Sequence, residues 1–255
     1  MRRRRPGHGH DRRAAELRFW RDRERERGLP RSANGASSFH LHWRVPPTHL
    51  VEVSATIEVL TAPVVPRLYF WALQAGFSGG GAAHTGLQWL PAGGGTRAVN
   101  WGGYAPGGRE LDGTVSELPS LDGNPNTRLW QWREGVAHRL RVYRSPTGRG
   151  WRASVDDVVV RDLFAAGEWL VSPIVWSEVF AACDDPAVVV RWSGFRGVQE
   201  DGSVVVPEAA TVTYQSWAEG GCTNTDVSVD GAGIVQATAA PRRTLHGAVL
   251  RVAPA

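Results

Sequence analysis

The chain of 255 residues contains no lysine, so all 29 of its basic residues are arginines. An all-arginine composition is typical of the codon bias of a GC-rich bacterial genome and does not by itself indicate phosphate binding. Twelve of the arginines fall in residues 1–31, whereas residues 32–255 hold more acidic than basic side chains. Residues 32–255 therefore lack the basic surface of a nucleic-acid-binding domain, and we expect no nucleic-acid partner for them.

Long apolar runs are missing as well. The longest, such as residues 187–190, have the length of a strand and not the roughly 20 residues of a transmembrane helix, so no membrane span is predicted. Four arginines follow Met1, but the apolar segment of a signal peptide does not come after them. As written, the sequence predicts a cytoplasmic protein; an extracellular protein would require a different start or a signal already removed.

Only two cysteines occur, Cys183 and Cys222, and both lie in turn-like sequences rich in Gly, Asp, Asn and Pro. Two loop cysteines in an otherwise cysteine-free chain favour one disulfide formed in an oxidising compartment. Two unrelated free thiols are the alternative, because spacing alone does not establish disulfide geometry.

Strands dominate the remaining pattern. In residues 51–59 every odd position is apolar and every even position is polar, which is typical of a half-buried strand. Thirty glycines, 16 prolines and several Asp-Gly pairs separate further short segments of this kind, and only residues 161–166 suggest a helical turn. We predict an all-β fold, a two-sheet antiparallel jelly-roll sandwich, with residues 36–255 as one domain and residues 1–35 as a disordered Arg-rich tail. Further strands are predicted at residues 38–45, 67–75, 84–90, 96–101, 128–133, 139–144, 150–155, 173–180, 187–197, 211–215, 233–238 and 245–252.

The order of these segments resembles the concanavalin A-like lectin/glucanase superfamily and, within it, a bacterial family of unknown function. The order begins with an aromatic strand, a Gly-Leu-Gln strand and a strand ending in Trp. Two paired strands come next: the first follows a Trp and a Gly, and the second begins with a Gly-Trp pair. The resemblance covers roughly residues 40–250 and departs from the family pattern at His138, where an aromatic residue is usual, and after Trp101, where no acid follows. It implies two curved sheets whose concave face binds carbohydrate. The segments that carry it are residues 68–77, 84–89, 98–103, 129–135, 138–142 and 150–155.

The resemblance also brings together a candidate ligand-binding set. Tryptophan rings stack on the apolar faces of sugars, while amide and carboxyl groups exchange hydrogen bonds with sugar hydroxyls. The alternative for each tryptophan is core packing, and for the glutamine a hydrogen bond to backbone. The set consists of Trp71, Gln88, Asn100, Trp101 and Glu178.

Glu178 is also the candidate catalytic residue. It lies in the apolar sequence of residues 176–180, where burial should raise the pKa of its carboxyl group and suit it to general acid chemistry. A Glu that pairs with one of the many arginines, or that points into solvent, is the alternative. Paired acids in the spacing of a superfamily glucanase are missing, and so are the histidine and arginine motifs of the lyases.

No metal cofactor is predicted. His40 and His42 share a strand face but have no third ligand at a convincing spacing. Asp122, Asn124 and Asn126 resemble the start of a calcium loop, yet the later positions exclude an EF-hand and leave only a looser Ca²⁺ site open. The leading hypothesis is a non-catalytic carbohydrate-binding protein with a glycan as its partner. A polysaccharide-cleaving hydrolase or lyase that uses Glu178, and a structural domain without a ligand, are the alternatives.

Overall fold

The computed structural model describes residues 26–121 and 123–252, which form an all-β fold in which every strand pairing is antiparallel. Two single-turn 3₁₀ helices cover Ala92–Gly94 and Trp217–Glu219. The strands are β1 Ser37–Arg44, β2 Leu50–Thr61, β3 Tyr69–Phe77, β4 Ala82–Leu90, β5 Thr96–Tyr104, β6 Ser120–Leu121, β7 Asn124–Leu129, β8 Ala137–Arg144, β9 Trp151–Val155, β10 Val158–Leu163, β11 Leu170–Val179, β12 Val189–Gln199, β13 Val204–Val205, β14 Ala209–Tyr214, β15 Asp226–Val229, β16 Ile234–Ala237 and β17 Val249–Arg251.

The strands form two groups of a single curled antiparallel sheet. One group runs in the order β6, β7, β5, β4, β3, β11, β1, β14 and β17. The other runs in the order β10, β9, β8, β2, β12, β16 and β15, with β13 also paired to β12. A single pairing of Leu170 with Leu50 joins the groups at one end. The curl places the two groups face to face around one large apolar core.

Strand β2 shows how the alternating sequence produces this core. Val53, Ala55, Ile57 and Val59 point inward and are fully buried, because successive side chains of a strand point to opposite faces. Glu52 on the opposite face forms ion pairs with arginines of the neighbouring strands. The predicted strand at residues 51–59 is thus present, and one of its faces is buried as expected.

Tryptophan supplies much of the core volume. Five tryptophans are among the largest fully buried side chains of the described residues: Trp71, Trp101, Trp132, Trp151 and Trp192. Some contact each other edge-on, as Trp71 and Trp132 do at a centroid separation of 5.7 Å. Such T-shaped contacts suit aromatic rings, whose edges are positive and whose faces are negative. Most of the tryptophan content therefore stabilises the fold and does not face solvent.

The structure differs from the sequence prediction at β10, where a helical turn was expected to begin at Arg161. Residues 158–163 instead pair with β9, and Arg161 and Asp162 are both buried. Arg161 donates to the Pro125 carbonyl and to Asn126, whereas Asp162 accepts from Arg152. Arg161 and Asp162 therefore each have polar partners on neighbouring segments. In the sequence alone, two adjacent charged residues argue against a buried strand.

The predicted disordered tail also needs correction in part. Residues 1–25 of that tail lie outside the described residues. The remainder, from Glu26 to Gly35, lies against the body of the protein, and Arg31 donates its backbone N–H to the Gly220 carbonyl at 2.9 Å. Residues 26–35 are therefore in contact with the folded domain, which their composition does not suggest.

Within residues 26–121 and 123–252, no helix has the length and apolar character needed to cross a bilayer.

Candidate functional site

A groove of about 680 Å³ lies on the face of β1, β3, β4, β5 and β11 that points away from the main core. Strand parity fixes which side chains reach it. Odd-numbered residues of β3 and β4 pack into the core, and even-numbered residues face the groove. The groove is lined by Asn34, Ser38, His40, Gln74, Gly81, Ala82, His84, Tyr104, Ala105, Ile174, Trp176 and Glu178.

The floor of the groove is formed by Ile174 and Trp176, which belong with Phe70 and Ala72 to a small apolar cluster separate from the main core. The Trp176 indole meets Phe70 edge-on at 4.9 Å between centroids and the imidazole of His84 at 5.4 Å. Trp176 is 7% exposed, so part of its ring faces the groove while its edges are fixed by neighbours. The floor offers an aromatic surface with little freedom to move.

Gln74 is oriented by the same tryptophan. Its Oε1 accepts a hydrogen bond from the Trp176 indole N–H at 3.1 Å. The acceptor end of the amide is thereby occupied, and the Nε2 donors are left without a partner among the described residues. Gln74 therefore presents hydrogen-bond donors at the groove surface.

Two histidines contribute neutral polar groups. Burial lowers the pKa of His84 to about 4, and burial together with the neighbouring His42 lowers the pKa of His40 to about 4. Both rings are uncharged at neutral pH, since desolvation penalises the imidazolium form. No arginine lines the groove, so Glu178 is its only charged side chain at neutral pH among the described residues.

Glu178 lies at one end of the groove, on β11, and is half-buried. Burial raises the pKa of its carboxyl group, and a hydrogen bond from Asn34 opposes that shift. Asn34 Nδ2 donates to Glu178 Oε1 at 2.8 Å, and the second carboxyl oxygen has no hydrogen-bond partner among the described residues. Glu178 can therefore accept hydrogen bonds from a ligand, or donate one when protonated.

The sheet register keeps Glu178 apart from Gln74 and His84, whereas Ser38 of β1 pairs with Glu178 itself and His40 pairs with Trp176. Glu178 pairs with Phe70 across β3, and Ile174 pairs with Gln74, which in turn pairs with His84 on β4. Four residues of strand separate the two rows, which corresponds to about 13 Å. The hydrogen-bonding groups are therefore spread along the groove, with Ser38 and His40 near Glu178 and with Gln74 and His84 further along the strands.

Trp71 and Trp101, expected as a ligand platform, lie on the wrong face for that role. Trp71 is 1% exposed, Trp101 is fully buried, and both belong to the main core. Their odd positions on β3 and β5 direct them inward, so neither ring can stack on a bound molecule. Core packing, the alternative considered for each tryptophan, is what the structure shows.

Gln88 and Asn100 share the sheet face of the groove but do not line it. Asn100 Nδ2 donates to Thr127 Oγ1 at 3.0 Å, and Thr127 donates to Gln88 Oε1 at 3.3 Å. Both side chains are 6% exposed, and Thr127 of the neighbouring strand β7 hydrogen-bonds to each of them. Of the five predicted ligand-binding residues, only Glu178 reaches the groove surface.

The residues considered for metal binding have other roles. Asn124 accepts from the backbone of Asn126, and Asn126 contacts Glu110 and accepts from Arg161 at 2.9 Å. An arginine at this oxygen disfavours a cation there. Asp122, the first residue of the suggested Ca²⁺ loop, lies outside the described residues. In the described part of the chain, no three His, Cys, Asp or Glu side chains are grouped as metal ligands, and His42 contacts Thr213.

Cys183 and Cys222 form a disulfide, with 5.5 Å between their Cα atoms. The bridge joins the loop after β11 to the loop after β14, close to the N-terminal segment that carries Asn34. Cys183 donates its backbone N–H to Gly28, and Cys222 donates its own to Ser37 Oγ at 2.9 Å. The disulfide therefore lies behind the Glu178 end of the groove.

Comparisons with known proteins leave the family open. No protein-family model matches the chain, and no curated protein matches it. Similar solved structures include Scytalido-glutamic peptidase with a peptide-based transition-state analogue, at 14% identity and a TM-score of 0.47 over 83% of this chain and 99% of that one. They also include SCP-B, an Eqolisin-family peptidase in complex with the tripeptide Ala-Ile-His, with the same identity, coverage and TM-score. At this level the likeness carries no argument about function.

Sequence reasoning missed most of the groove, namely Asn34, His84, Gln74, Trp176 and Tyr104. The available signal was the parity of β4, because His84 and Gln88 lie four residues apart and must share a face. The same rule places Trp176 with Glu178 on β11. Asn34 gave no such signal, since it belongs to a segment without regular secondary structure.

Proposed function

We propose that the groove binds an uncharged oligosaccharide without cleaving it. The observation that supports this most is the combination of an aromatic floor with neutral hydrogen-bonding groups in one groove of the sheet. Trp176 and the exposed Tyr104 offer ring surface, while Gln74, His40 and His84 offer donors and acceptors. A sugar presents apolar CH faces and rings of hydroxyls, and it matches both kinds of surface.

The charge of the groove supports a neutral ligand. At neutral pH its lining carries one carboxylate and no arginine among the described residues. Anionic polymers would meet no compensating cation and would be repelled by Glu178. A neutral glycan pays no such cost, and its hydroxyls can donate to the free oxygen of Glu178.

The layout of the groove argues against the usual glycosidase mechanism. That mechanism places two carboxyl groups about 5–9.5 Å apart on either side of the bond. Glu178 is the only carboxyl group that lines the groove in the described residues, and His84 lies about four residues further along the strands. Recognition requires only that such groups be spread along the ligand.

A hydrolase is the second candidate, and one observation favours it. Burial raises the pKa of Glu178, and a raised pKa lets a carboxyl group donate a proton closer to neutral pH. The bond cleaved would belong to a polysaccharide, by hydrolysis or elimination, with Glu178 as the acid–base residue. This candidate requires a second group beside Glu178, and His40 on the adjacent strand is a titratable side chain of the same lining.

We also propose that the chain is a concanavalin A-like protein with jelly-roll connections. The two strand groups, whose inward side chains share one apolar core, support this proposal. A disulfide near the groove is compatible with an oxidising, extracellular setting.

A glycan array tests the proposed function. Each glycan that binds is then titrated in solution, with intrinsic Trp fluorescence as the readout. We expect a neutral oligosaccharide to bind, Trp176→Ala to lose most of the affinity, and Trp169→Ala, outside the groove lining, to retain it. Product analysis on each bound polysaccharide follows. Cleavage that Glu178→Gln abolishes would favour the hydrolase, and no binding to any glycan would refute the leading proposal.

A further inference from the structure

Asn34 forms one wall of the groove and belongs to residues 26–36, the segment that precedes the first strand. Within this segment Asn34 is held in a defined orientation, since its Oδ1 accepts from Ser32 Oγ at 2.9 Å and from the Ala36 backbone N–H at 3.2 Å. These bonds direct Nδ2 toward Glu178, to which it donates at 2.8 Å. Asn34 supplies the only hydrogen bond to the Glu178 carboxyl group in the described part of the chain.

The segment has no strand partner of its own and is fastened to the loops that carry the two cysteines. Gly28 accepts from the Cys183 backbone N–H at 2.8 Å and donates to Asp184 at 2.9 Å. On the other loop, Gly220 accepts from Arg31. The disulfide between Cys183 and Cys222 joins these two loops.

Both loops also contact one another and β1. Asn224 Nδ2 donates to the Cys183 carbonyl at 2.6 Å, and the Cys222 backbone N–H donates to Ser37 Oγ at 2.9 Å. The segment passes close to the second loop, because a Cβ on Gly220 would lie 2.2 Å from the carbonyl carbon of Arg31. The position of residues 28–34 therefore depends on how the two cysteine loops are held.

We propose that Asn34 is a positioning residue for Glu178 and that the Cys183–Cys222 disulfide keeps it in place. The covalent bridge limits the separation of the two loops, and the loops in turn hold the segment whose asparagine orients the carboxyl group. Reduction of the bridge loosens this wall of the groove and changes the surroundings of Glu178. The role in ligand binding of this coupling between the disulfide, Asn34 and Glu178 rests on the proposed function. The coupling itself does not.

Titration of the Glu178 carboxyl group by NMR, in the full-length protein, tests the coupling. The hydrogen bond from Asn34 favours the charged form, so Asn34→Ala should raise the pKa of Glu178 further. The pair Cys183→Ser and Cys222→Ser should raise it too, and Asn34→Ala should add little in that background. The other titratable groups of the groove are His40 on β1, His84 on β4 and Tyr104 on β5.

Two further variants make the test decisive. Tyr104→Phe, at the opposite end of the groove, is the matched control and should leave the Glu178 titration unchanged. Gly220→Ala pushes against Arg31 without removing the bridge and should shift the titration in the same direction as Asn34→Ala. Reduction of the bridge in the wild-type protein replaces the cysteine pair if that variant does not fold.

A folded bridge-free protein in which Glu178 titrates as in the wild type would overturn the role of the disulfide. An unchanged titration in Gly220→Ala would overturn the coupling between residues 28–34 and the loop that carries Cys222. An unchanged titration in Asn34→Ala would overturn the role of Asn34. Neither result depends on glycan binding, which is measured separately with the array. A shifted titration with no glycan bound would therefore refute the proposed function while supporting the coupling.

Discussion

Replacement of His84 by glutamine should reduce the acid sensitivity of this protein. The His84 imidazole lies at the groove floor against Phe70 and Trp176, and burial lowers its pKa from 6.5 to about 4. Between pH 6.5 and a pH of about 4, the native state therefore binds fewer protons than the unfolded chain. Stability supplied by the neutral ring is lost as the pH falls below 6.5 and is fully lost below about 4.

The magnitude follows from the shift. Each pKa unit corresponds to about 1.36 kcal/mol, so the full shift corresponds to about 3 kcal/mol. His84 is partly exposed in the groove, and solvent screening reduces the effect, so we expect a loss of about 1–3 kcal/mol. Glutamine keeps a polar side chain at this position but does not titrate.

Urea denaturation at pH 7, 6, 5 and 4 measures the effect. Between pH 7 and pH 4 the wild type should lose about 1–3 kcal/mol more of its free energy of unfolding than His84→Gln does. His49→Gln, at an exposed position outside the groove, is the matched control and should behave like the wild type. Equal losses in the wild type and His84→Gln would show that this ring is not desolvated and would refute the electrostatic account of the groove.

Three further outcomes follow from the structure. Trp101→Ala should destabilise the protein by about 3–5 kcal/mol and lower its melting temperature in calorimetry by about 6–20 °C. The folded fraction should still bind glycan, and lost affinity in a stable variant would contradict the core role of Trp101. Glu178→Gln should gain stability relative to the wild type as the pH rises above the ordinary pKa of 4.5, because burial disfavours the carboxylate that forms in the wild type. If the two proteins differ in free energy of unfolding by the same amount at pH 4 and pH 8, the burial of Glu178 is contradicted. Gly86→Ala should destabilise β4 by about 1–3 kcal/mol, since its Cβ would lie 2.0 Å from the Trp71 carbonyl oxygen; unchanged urea denaturation would contradict that close approach.

Alternation of apolar and polar residues predicted the strands where one face is wet. Residues 51–59 show it clearly, and the strand lies within β2. Alternation cannot assign faces where both are apolar, as in β3, whose Phe70, Trp71, Ala72 and Leu73 are all buried. A shift of one residue exchanges the faces, so the sequence could not tell that Trp71 points into the core and Phe70 toward the groove.

The candidate site was predicted less well than the fold because it depends on register across several strands. Glu178 was found from its apolar surroundings, which do raise the pKa of its carboxyl group. His84 and Gln74 lie opposite each other only because β3 and β4 pair in one particular register. Asn34 depends on a segment held by loop contacts, and local patterns of sequence do not reveal such contacts.

The most direct test of the central claim is an NMR titration that follows side-chain N–H resonances as a neutral oligosaccharide from the array is added. The Trp176 indole and the Gln74 amide face the ligand in this account, whereas the Trp101 indole lies in the core. We predict saturable shifts of the Trp176 and Gln74 resonances and no shift of Trp101. Saturable binding that moves neither groove resonance would place the ligand elsewhere and contradict the account.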